Sequence, residues 1–506
     1  MTMPKPLTEQ QSSIISSIQA GNDVMVIARA GVGKTYTIVE AAKRLPFGTE
    51  GIALAFNKKI AGDLAKRLPS TISAITMNGL GHRAWGSAIG RRLQLDTDKI
   101  WTAMEKVLKE KALTLNKKER PVVKAFVDTL RNYGAVPDGT LIPGKALVDW
   151  ATAVESAWTF LEEPEFQTEI NTEIGRLVLL ESIKMGYAGI IDFTDQLYLP
   201  VVFGGNWPNP QILFVDEAQD LSPVNHIMVR NCRAKQLVVV GDPMQAIYAF
   251  RGALTDSMDQ FSLSREFDVQ YLTKTFRCGK AIVSRAQKLV PDFVADDSNV
   301  EGMVVDNRGK SWTFDILQPD TAILCRNNAP LIRMALRLLR ARIPATILGR
   351  DIARGLIKDI QKANQVNVNI TQTLQNVKDY YDAKIAAKES LRNILGDRLA
   401  AIRAAGDGAT DRDSLIQLIE ALFSDEGRSQ LVTLATGHKA KGHEWDHVIH
   451  LDSFLIPSKM AKTDEEIQQE FNLQYVIETR PRLSLTLVES KNLDAESDDD
   501  QEDAAI

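Results

Sequence analysis

Residues 28–35 read Ala-Arg-Ala-Gly-Val-Gly-Lys-Thr, and residues 211–220 read Gln-Ile-Leu-Phe-Val-Asp-Glu-Ala-Gln-Asp. The first segment has the residue types of a phosphate-holding loop. Gly31 and Gly33 let backbone amides turn inward, so that Ala30, Gly31, Val32 and Gly33 form a cradle for phosphate oxygens. Lys34 can reach the β and γ phosphates, Thr35 can offer its hydroxyl to Mg²⁺, and Tyr36 follows at the start of a helix whose N-terminus favours negative charge. The second segment ends in two carboxylates. Asp216 is placed to hold Mg²⁺, directly or through water, and Glu217 to polarise an attacking water. The chemistry on offer is cleavage of a nucleoside triphosphate. Such loops usually begin with Gly, where this chain has Ala28.

These groups need rigid elements behind them. Residues 23–28 are a short apolar run, read as a buried strand, and residues 36–44 read as a helix. Strand, glycine-rich turn and helix is the order a phosphate loop requires. Residues 211–215 form a second buried strand, which delivers the carboxylate pair.

Composition narrows the classes. The chain has 506 residues, 44% hydrophobic and 25% charged, which suits about three or four globular domains. No apolar run reaches the ~18 residues of a membrane span, and the opening residues hold no apolar signal core. Three scattered cysteines suggest neither a disulfide framework nor a metal pattern, so a cytoplasmic setting is expected, or a host cytoplasm if the source is a phage. Asp494, Glu496, Asp498, Asp499, Asp500, Glu502 and Asp503 form an acidic run without Lys or Arg. Setting those seven acids aside turns the net charge of −5 into +2. A nucleic-acid site must then be a local groove. The run reads as a disordered solubilising tail, with docking to a protein partner or DNA mimicry as the other readings. His438, His443, His447 and His450 are close in sequence, but no cysteine lies near, and 447 and 450 fall on opposite faces of an apparent strand. No zinc site is expected.

The Asp-Glu-Ala-Gln-Asp segment, taken with the loop at 28–35, resembles the UvrD/Rep family of superfamily 1 helicases, which tolerates Ala at the first loop position. Other segments resemble that family's motifs in order. Residues 7–11 resemble its adenine-reading element, with Gln11 the match by spacing and Gln10 a near alternative. Residues 53–58 and 76–81 resemble two single-strand-contacting motifs, implying DNA contacts from Phe56, Asn57, Thr76 and Asn78. Residues 191–197, Ile-Asp-Phe-Thr-Asp-Gln-Leu, resemble a signature with a structural or DNA-edge role. In residues 237–252 a buried strand brings Asp242 and Gln245 to the γ-phosphate side, with Gln245 as sensor because an amide can bond both phosphate and water. Tyr248, Phe250 and Arg251 then offer faces to DNA bases. The family often has Trp where Phe250 stands. In residues 272–278 the resemblance implies that Phe276 stacks on adenine and that Arg277 reaches the γ-phosphate. In residues 431–445 it puts Thr436, His438 and Lys441 along the DNA backbone, with Gly442 and Glu444 at the nucleotide, Glu444 on the ribose. Residues 472–480 resemble the motif that carries an arginine finger, here Arg480, although Pro481 replaces the usual Ala and disfavours helix at Arg480.

The resemblance implies an α/β protein with two RecA-like P-loop domains and parallel sheets, and the intervals between motifs suggest a mostly helical insertion in each. Residues 1–85 and 190–275 would form the first core, interrupted by a helical insertion at 86–189. Residues 276–350 and 428–492 would form the second, interrupted by a short helical insertion at 351–427, with the tail at 493–506. Lys106, Lys109, Lys111, Lys117, Lys118 and Arg120 could give the first insertion a strand-contacting face or a solvated one. The resemblance implies ATP and Mg²⁺ in a cleft between the cores, with single-stranded DNA and duplex junctions as partners and no membrane. The implied activity is an ATP-driven DNA helicase moving 3′ to 5′. The alternative is a single-strand translocase that strips proteins with little unwinding. Lys34, Glu217, Gln245, Arg277 and Arg480 are the expected catalytic set.

Overall fold

The computed structural model describes residues 6–55, 57–138, 144–161, 163–247, 256–341, 343–387, 391–424 and 431–494. The chain forms two compact units. One comprises Met1–Ala28 and Gly33–Leu272, the other Arg29–Val32 and Thr273–Ile506.

The first unit is built on β1 Val24–Ala28, β2 Gly51–Ala55, β3 Ile72–Thr76, β6 Ile212–Val215, β7 Gln236–Gly241 and β8 Asp268–Leu272. They form one sheet in the order β3-β2-β6-β7-β1-β8, with every pairing parallel. The central strand β6 is buried along its whole length, which explains its unbroken run of apolar residues. In a parallel sheet, ligands meet the carboxyl ends of the strands. Here β1, β7 and β6 are neighbours, so their ends bring the glycine-rich loop, Asp242 and the Asp216–Glu217 pair side by side. The helix after the loop is Lys34–Lys43, not 36–44, because Gly33 serves as its N-cap. The motif at residues 53–58 spans the end of a strand, Gly51–Ala55, and the start of the next helix, Lys58–Ala65, which Asn57 caps.

Between β3 and β6 the chain makes a helical excursion. Its main helices are Met77–Ile89, Lys99–Glu110, Glu119–Asn132, Trp150–Leu161 and Glu169–Tyr187. A short parallel pair, β4 Gln94–Leu95 with β5 Ile190–Ile191, brings the two ends of most of the excursion together. Phe126 stacks on Trp158 with ring centroids 4.4 Å apart, and this packing is continuous with the sheet's own core at Leu213 and Val215. The sequence 191–197 closes the base of the excursion. Asp192 and Asp195 each accept from the other's backbone N–H, at 2.9 and 3.1 Å. Asp195 is bonded to buried Lys99, and Arg131 reaches both carboxylates at 2.9 Å. Of the cations that might have lined a binding face, Lys106 pairs with Glu181 at 2.6 Å and Arg120 with Glu105, while Lys109, Lys111, Lys117 and Lys118 are exposed.

The second unit contains a short pair, β9 Lys274–Thr275 with β10 Val294–Ala295, and a seven-stranded sheet. The sheet strands are β11 Met303–Asp306, β12 Thr321–Cys325, β13 Ala345–Leu348, β14 Phe423–Ser424, β15 Val432–Thr436, β16 Trp445–Leu451 and β17 Pro481–Val488. Their order is β11-β17-β16-β12-β15-β13-β14, again parallel throughout. The helices Arg350–Ala363, Ile370–Ala387, Arg392–Gly406 and Arg412–Leu422 form the excursion between β13 and β14. Asp359 pins it internally, accepting from Tyr381 at 2.9 Å and Arg398 at 2.7 Å. The fold is therefore α/β, with two parallel sheets that each carry a helical insertion, as the sequence suggested. No helix among the described residues is long and apolar enough to cross a membrane.

Candidate nucleotide site

The phosphate loop leaves β1 at Ala28 and turns through Gly31 (φ 67°) and Gly33 (φ 85°). A side chain at either position would be strained by that left-handed backbone. No side chain caps the helix Lys34–Lys43 at Gly33, so its first amides suit an anion. Of the two candidate glutamines, Gln11 is the buried one. Its Oε1 accepts from Thr8 N at 3.1 Å in a capping box, and its Nε2 lies 3.3 Å from where a Cβ at Gly33 would stand. Gln10 is half-buried.

A chain of polar contacts runs across the three strand ends. Lys34 Nζ is 2.9 Å from Glu217 Oε1. The other oxygen of Glu217 accepts from Gln219 Nε2 at 2.6 Å. Gln219 Oε1 in turn accepts from Asp242 N at 3.0 Å. Asp242 Oδ2 then accepts from Gln245 Nε2 at 2.6 Å. Glu217 occupies the left-handed region (φ 53°, ψ 41°), a strained conformation for a side-chain-bearing residue and one held only by strong surroundings. Burial raises the Asp216 carboxyl, and Glu217 raises it further; Lys34 opposes both, and the group is pushed up to about 7. Burial acts to lower the pKa of Lys34, but Glu217, Asp216 and Asp242 outweigh it and hold the ammonium above its usual value. A buried acid beside a lysine held by carboxylates is an arrangement that could take up a divalent cation and phosphate. Thr35, half-buried one residue beyond Lys34, has a hydroxyl that could join Asp216 at a divalent cation.

Within the second unit, the short segment Arg29–Val32 is held by residues of the region 273–506. Gly31 O accepts from Phe276 N at 3.0 Å, and Ala30 N donates to Tyr475 Oη at 3.1 Å. Arg277 is packed so close that a Cβ at Gly31 would come within 2.5 Å of Arg277 Cβ. The Arg277 guanidinium points to Glu444, with Nε 2.7 Å from Oε2. Arg480 is 2% exposed and donates to Val476 O at 2.8 Å, His443 O at 3.3 Å and Thr479 Oγ1 at 3.1 Å. The helix Asp464–Glu478 ends before it, and β17 begins at Pro481, as a proline at that position requires. Arg277, Glu444 and Arg480 are thus brought together, with Gly442 (φ 85°) in the turn before Glu444.

Comparison with known proteins agrees with this geometry. The profile of the AAA domain matches residues 10–251, and that of the UvrD-like helicase C-terminal domain matches 352–492, most of the chain between them. The chain belongs to the UvrD/Rep-like family of superfamily 1. It is 25% identical to F-box DNA helicase protein 1 of Schizosaccharomyces pombe, over 96% of this chain and 57% of that protein. It is 23% identical to DNA helicase II of Escherichia coli, over 70% of this chain and 53% of the relative. With the ATP-dependent DNA helicase PcrA of Leuconostoc citreum the identity is 22%, over 69% and 50%. The chain thus spans about half the length of the curated relatives it matches.

For a UvrD-like chain, the residues expected along nucleic acid sit at helix starts. The side chains of Asn57, Thr76 and Thr436 each cap a helix, accepting from Ile60 N at 2.9 Å, Gly79 N at 3.1 Å and Lys439 N at 3.4 Å. Their side-chain oxygens are engaged within the protein, which leaves the helix-start backbone as the surface to offer. Asn78 donates to Phe193 O at 3.0 Å, and Phe193 is 53% exposed. His438 and Lys441 are half-buried. Phe56, Tyr248, Phe250 and Arg251, expected to face bases, lie outside the described residues, as does the acidic run after Asp494. The two histidines of β16 have different neighbours. His447 Nδ1 is 2.7 Å from Ser484 Oγ, whereas buried His450 lies 3.7 Å from Glu478. Sequence reading passed over Gln219. The signal was available, because a glutamine inside Asp-Glu-Ala-Gln-Asp can donate to one strand end and accept from another.

Proposed function

We propose that this chain is an ATP-dependent DNA helicase that moves 3′ to 5′ on a single strand and separates duplex at junctions. The observation that carries the reading is the continuous contact path from Lys34 through Glu217, Gln219 and Asp242 to Gln245, found in a chain of the UvrD-like family. Lys34 exchanges Glu217 for the β and γ phosphates when ATP binds. Glu217, freed of the lysine, accepts the proton of the water that attacks the γ-phosphorus, while the bond to the bridging oxygen breaks toward ADP. Thr35 and Asp216 would hold Mg²⁺, which neutralises charge developing on the phosphate oxygens. Gln245 reports phosphate through Asp242 and Gln219, and Arg277 and Arg480 stabilise the transferred group. Gln11 and Phe276 hold adenine, and Glu444 the ribose. The strand runs past Asn57, Thr76, Asn78, Thr436, His438 and Lys441, and its grip alternates as the phosphate contacts change.

The test uses matched duplexes with 3′ or 5′ single-stranded tails. Strand separation is expected only with ATP and the 3′ tail, and turnover should rise on adding single strands. Lys34→Ala should abolish both. Turnover indifferent to oligonucleotide would defeat the reading. A second reading is favoured by the short interval at 351–427, namely a translocase that displaces bound proteins. It would show strand-stimulated turnover without strand separation.

A further inference from the structure

Arg277 and Glu444, assigned above to opposite ends of the nucleotide, are bonded to each other, Nε to Oε2 at 2.7 Å. The pair ties up one guanidinium N–H and one carboxylate oxygen, so while it persists it competes with a nucleotide for both groups. Arg482 stands beside it. Its Nη1 is 3.6 Å from the second oxygen of Glu444, its Nε 2.8 Å from Asp446 Oδ1, and its Nη2 3.2 Å from Asp320 Oδ2. Asp320 is fixed in turn, with a left-handed backbone (φ 57°) and the same Oδ2 accepting from Asp446 N at 2.9 Å. Three carboxylates, Asp320, Glu444 and Asp446, therefore face two guanidinium groups.

We propose that Arg482 is a positioning residue for nucleotide binding, which competes with Arg277 for the Glu444 carboxylate and so frees Arg277 for phosphate. The inference rests on the nucleotide-binding role of this site. When Arg277 leaves, Glu444 still has Arg482 within reach, and the carboxylates keep one cation among them. Without Arg482 the same departure leaves Glu444 with neither guanidinium, so Arg277 is held more firmly. Arg482 lies only two residues after Arg480 and enters β17 next to β16, which carries Asp446. Its place is set by strand pairing and does not depend on bound nucleotide.

The experiment is calorimetric titration of the full chain with magnesium tripolyphosphate, which has phosphates and no ribose, alongside Mg-ATP. These side chains are partly exposed, so shifts of about fivefold are expected. Arg482→Ala should weaken tripolyphosphate binding by about that factor, and Arg482→Lys should restore most of it. Glu444→Gln should tighten tripolyphosphate by a similar factor while ATP gains less, because its ribose contact is lost. The Arg482→Ala/Glu444→Gln double variant should bind tripolyphosphate like Glu444→Gln alone. With ATP as substrate, Arg482→Ala should raise KM and leave kcat at saturation. If Arg482→Ala does not fold, Asp446→Asn replaces it, and should tighten tripolyphosphate by releasing Arg482 toward Glu444. Unchanged tripolyphosphate binding in Arg482→Ala, or a double variant that falls as far below Glu444→Gln as Arg482→Ala falls below the parent, overturns the proposal. A parent chain that binds neither ATP nor tripolyphosphate defeats the nucleotide reading itself, and this proposal with it.

Discussion

The first unit holds two clusters of cations and carboxylates, and they are built on opposite plans. In one, Lys99, Arg131, Asp192 and Asp195 are all buried, and the two aspartates also accept backbone N–H groups from each other's residue. In the other, Lys34 faces Asp216, Glu217 and Asp242, with Glu217 strained and Asp216 driven toward neutrality by burial. In the first cluster each carboxylate meets a cation and a backbone N–H, although Arg131 Nε finds no acceptor among the described residues. Among the described residues, the second sets three carboxylates around one lysine and stands beside helix amides that no side chain caps. A closed cluster holds the excursion to the sheet, whereas an unbalanced one is prepared for a ligand that brings its own charge.

The largest expected effect tests the closed plan. Arg131→Met leaves Asp192 and Asp195 short of their shared cation, and should cost about 3–5 kcal/mol in urea unfolding. Adding Asp192→Asn should recover part of that loss, since Asp192 pairs with Arg131, whereas Asp195 still serves buried Lys99. A cost under about 1 kcal/mol would mean that the cluster is not the closed structural device described.

The open plan predicts the reverse separation of activity from stability. Glu217→Gln should lower ATP turnover about 10²–10⁴-fold, as loss of a general base does. Unfolding measurements should show little loss of stability, because Lys34 keeps Asp216 and Asp242 and the strained carboxylate is relieved of its charge. Equal damage to stability and turnover would erase the contrast between the clusters.

A pH series sharpens the contrast further. The Asp216 carboxyl ionises near 3.8 when exposed and at about 7 in the fold. Between those values the folded chain binds more protons than the unfolded one, so this residue makes stability fall as pH rises from about 4 to 7. Asp216→Asn should therefore stabilise the nucleotide-free chain more at pH 8 than at pH 5, by an amount of the order of 2 kcal/mol. Thermal unfolding at the two pH values reads the difference. A gap of the opposite sign would place the charge of Asp216 elsewhere than in a desolvated pocket.

The open cluster was legible in sequence because its parts are local. A glycine-rich turn after an apolar run, and two carboxylates after another, each announce themselves within about ten residues. Strand and helix patterns pointed to an α/β protein, and the two parallel cores came with the family resemblance. The closed cluster was not legible. Lys99 and Arg131 lie 96 and 64 residues from Asp195, and a lysine on an amphipathic helix looks like any solvated one until the fold buries it. The left-handed Glu217 was equally silent, since it is imposed by packing around a strand end and not by a glycine. Arg482 was hidden for a further reason. Its meaning lies in strand register, β16 beside β17, which no spacing of motifs encodes.

Gln219 gives the smallest of these effects and the most specific. In the closed cluster each aspartate carboxylate accepts the other's backbone N–H, a donor that no substitution but proline removes. In the open cluster the carboxylate end of β6 and the sensor end of β7 are joined by a side chain, Gln219, through Glu217 at 2.6 Å and Asp242 N at 3.0 Å. That link can be cut. Gln219→Leu leaves a buried backbone N–H without its acceptor and should cost about 1–3 kcal/mol in stability. Gln219→Glu keeps an oxygen for Asp242 N but cannot donate to Glu217, and places a second carboxylate against it. If Gln219 carries the state of Gln245 to Glu217, both variants should lower kcat about tenfold at saturating ATP, with KM little changed. If it only fills space, Gln219→Leu should lose stability alone and keep its kcat. The two variants together separate a coupling amide from a packing one, because only the coupling requires donor and acceptor in the same side chain.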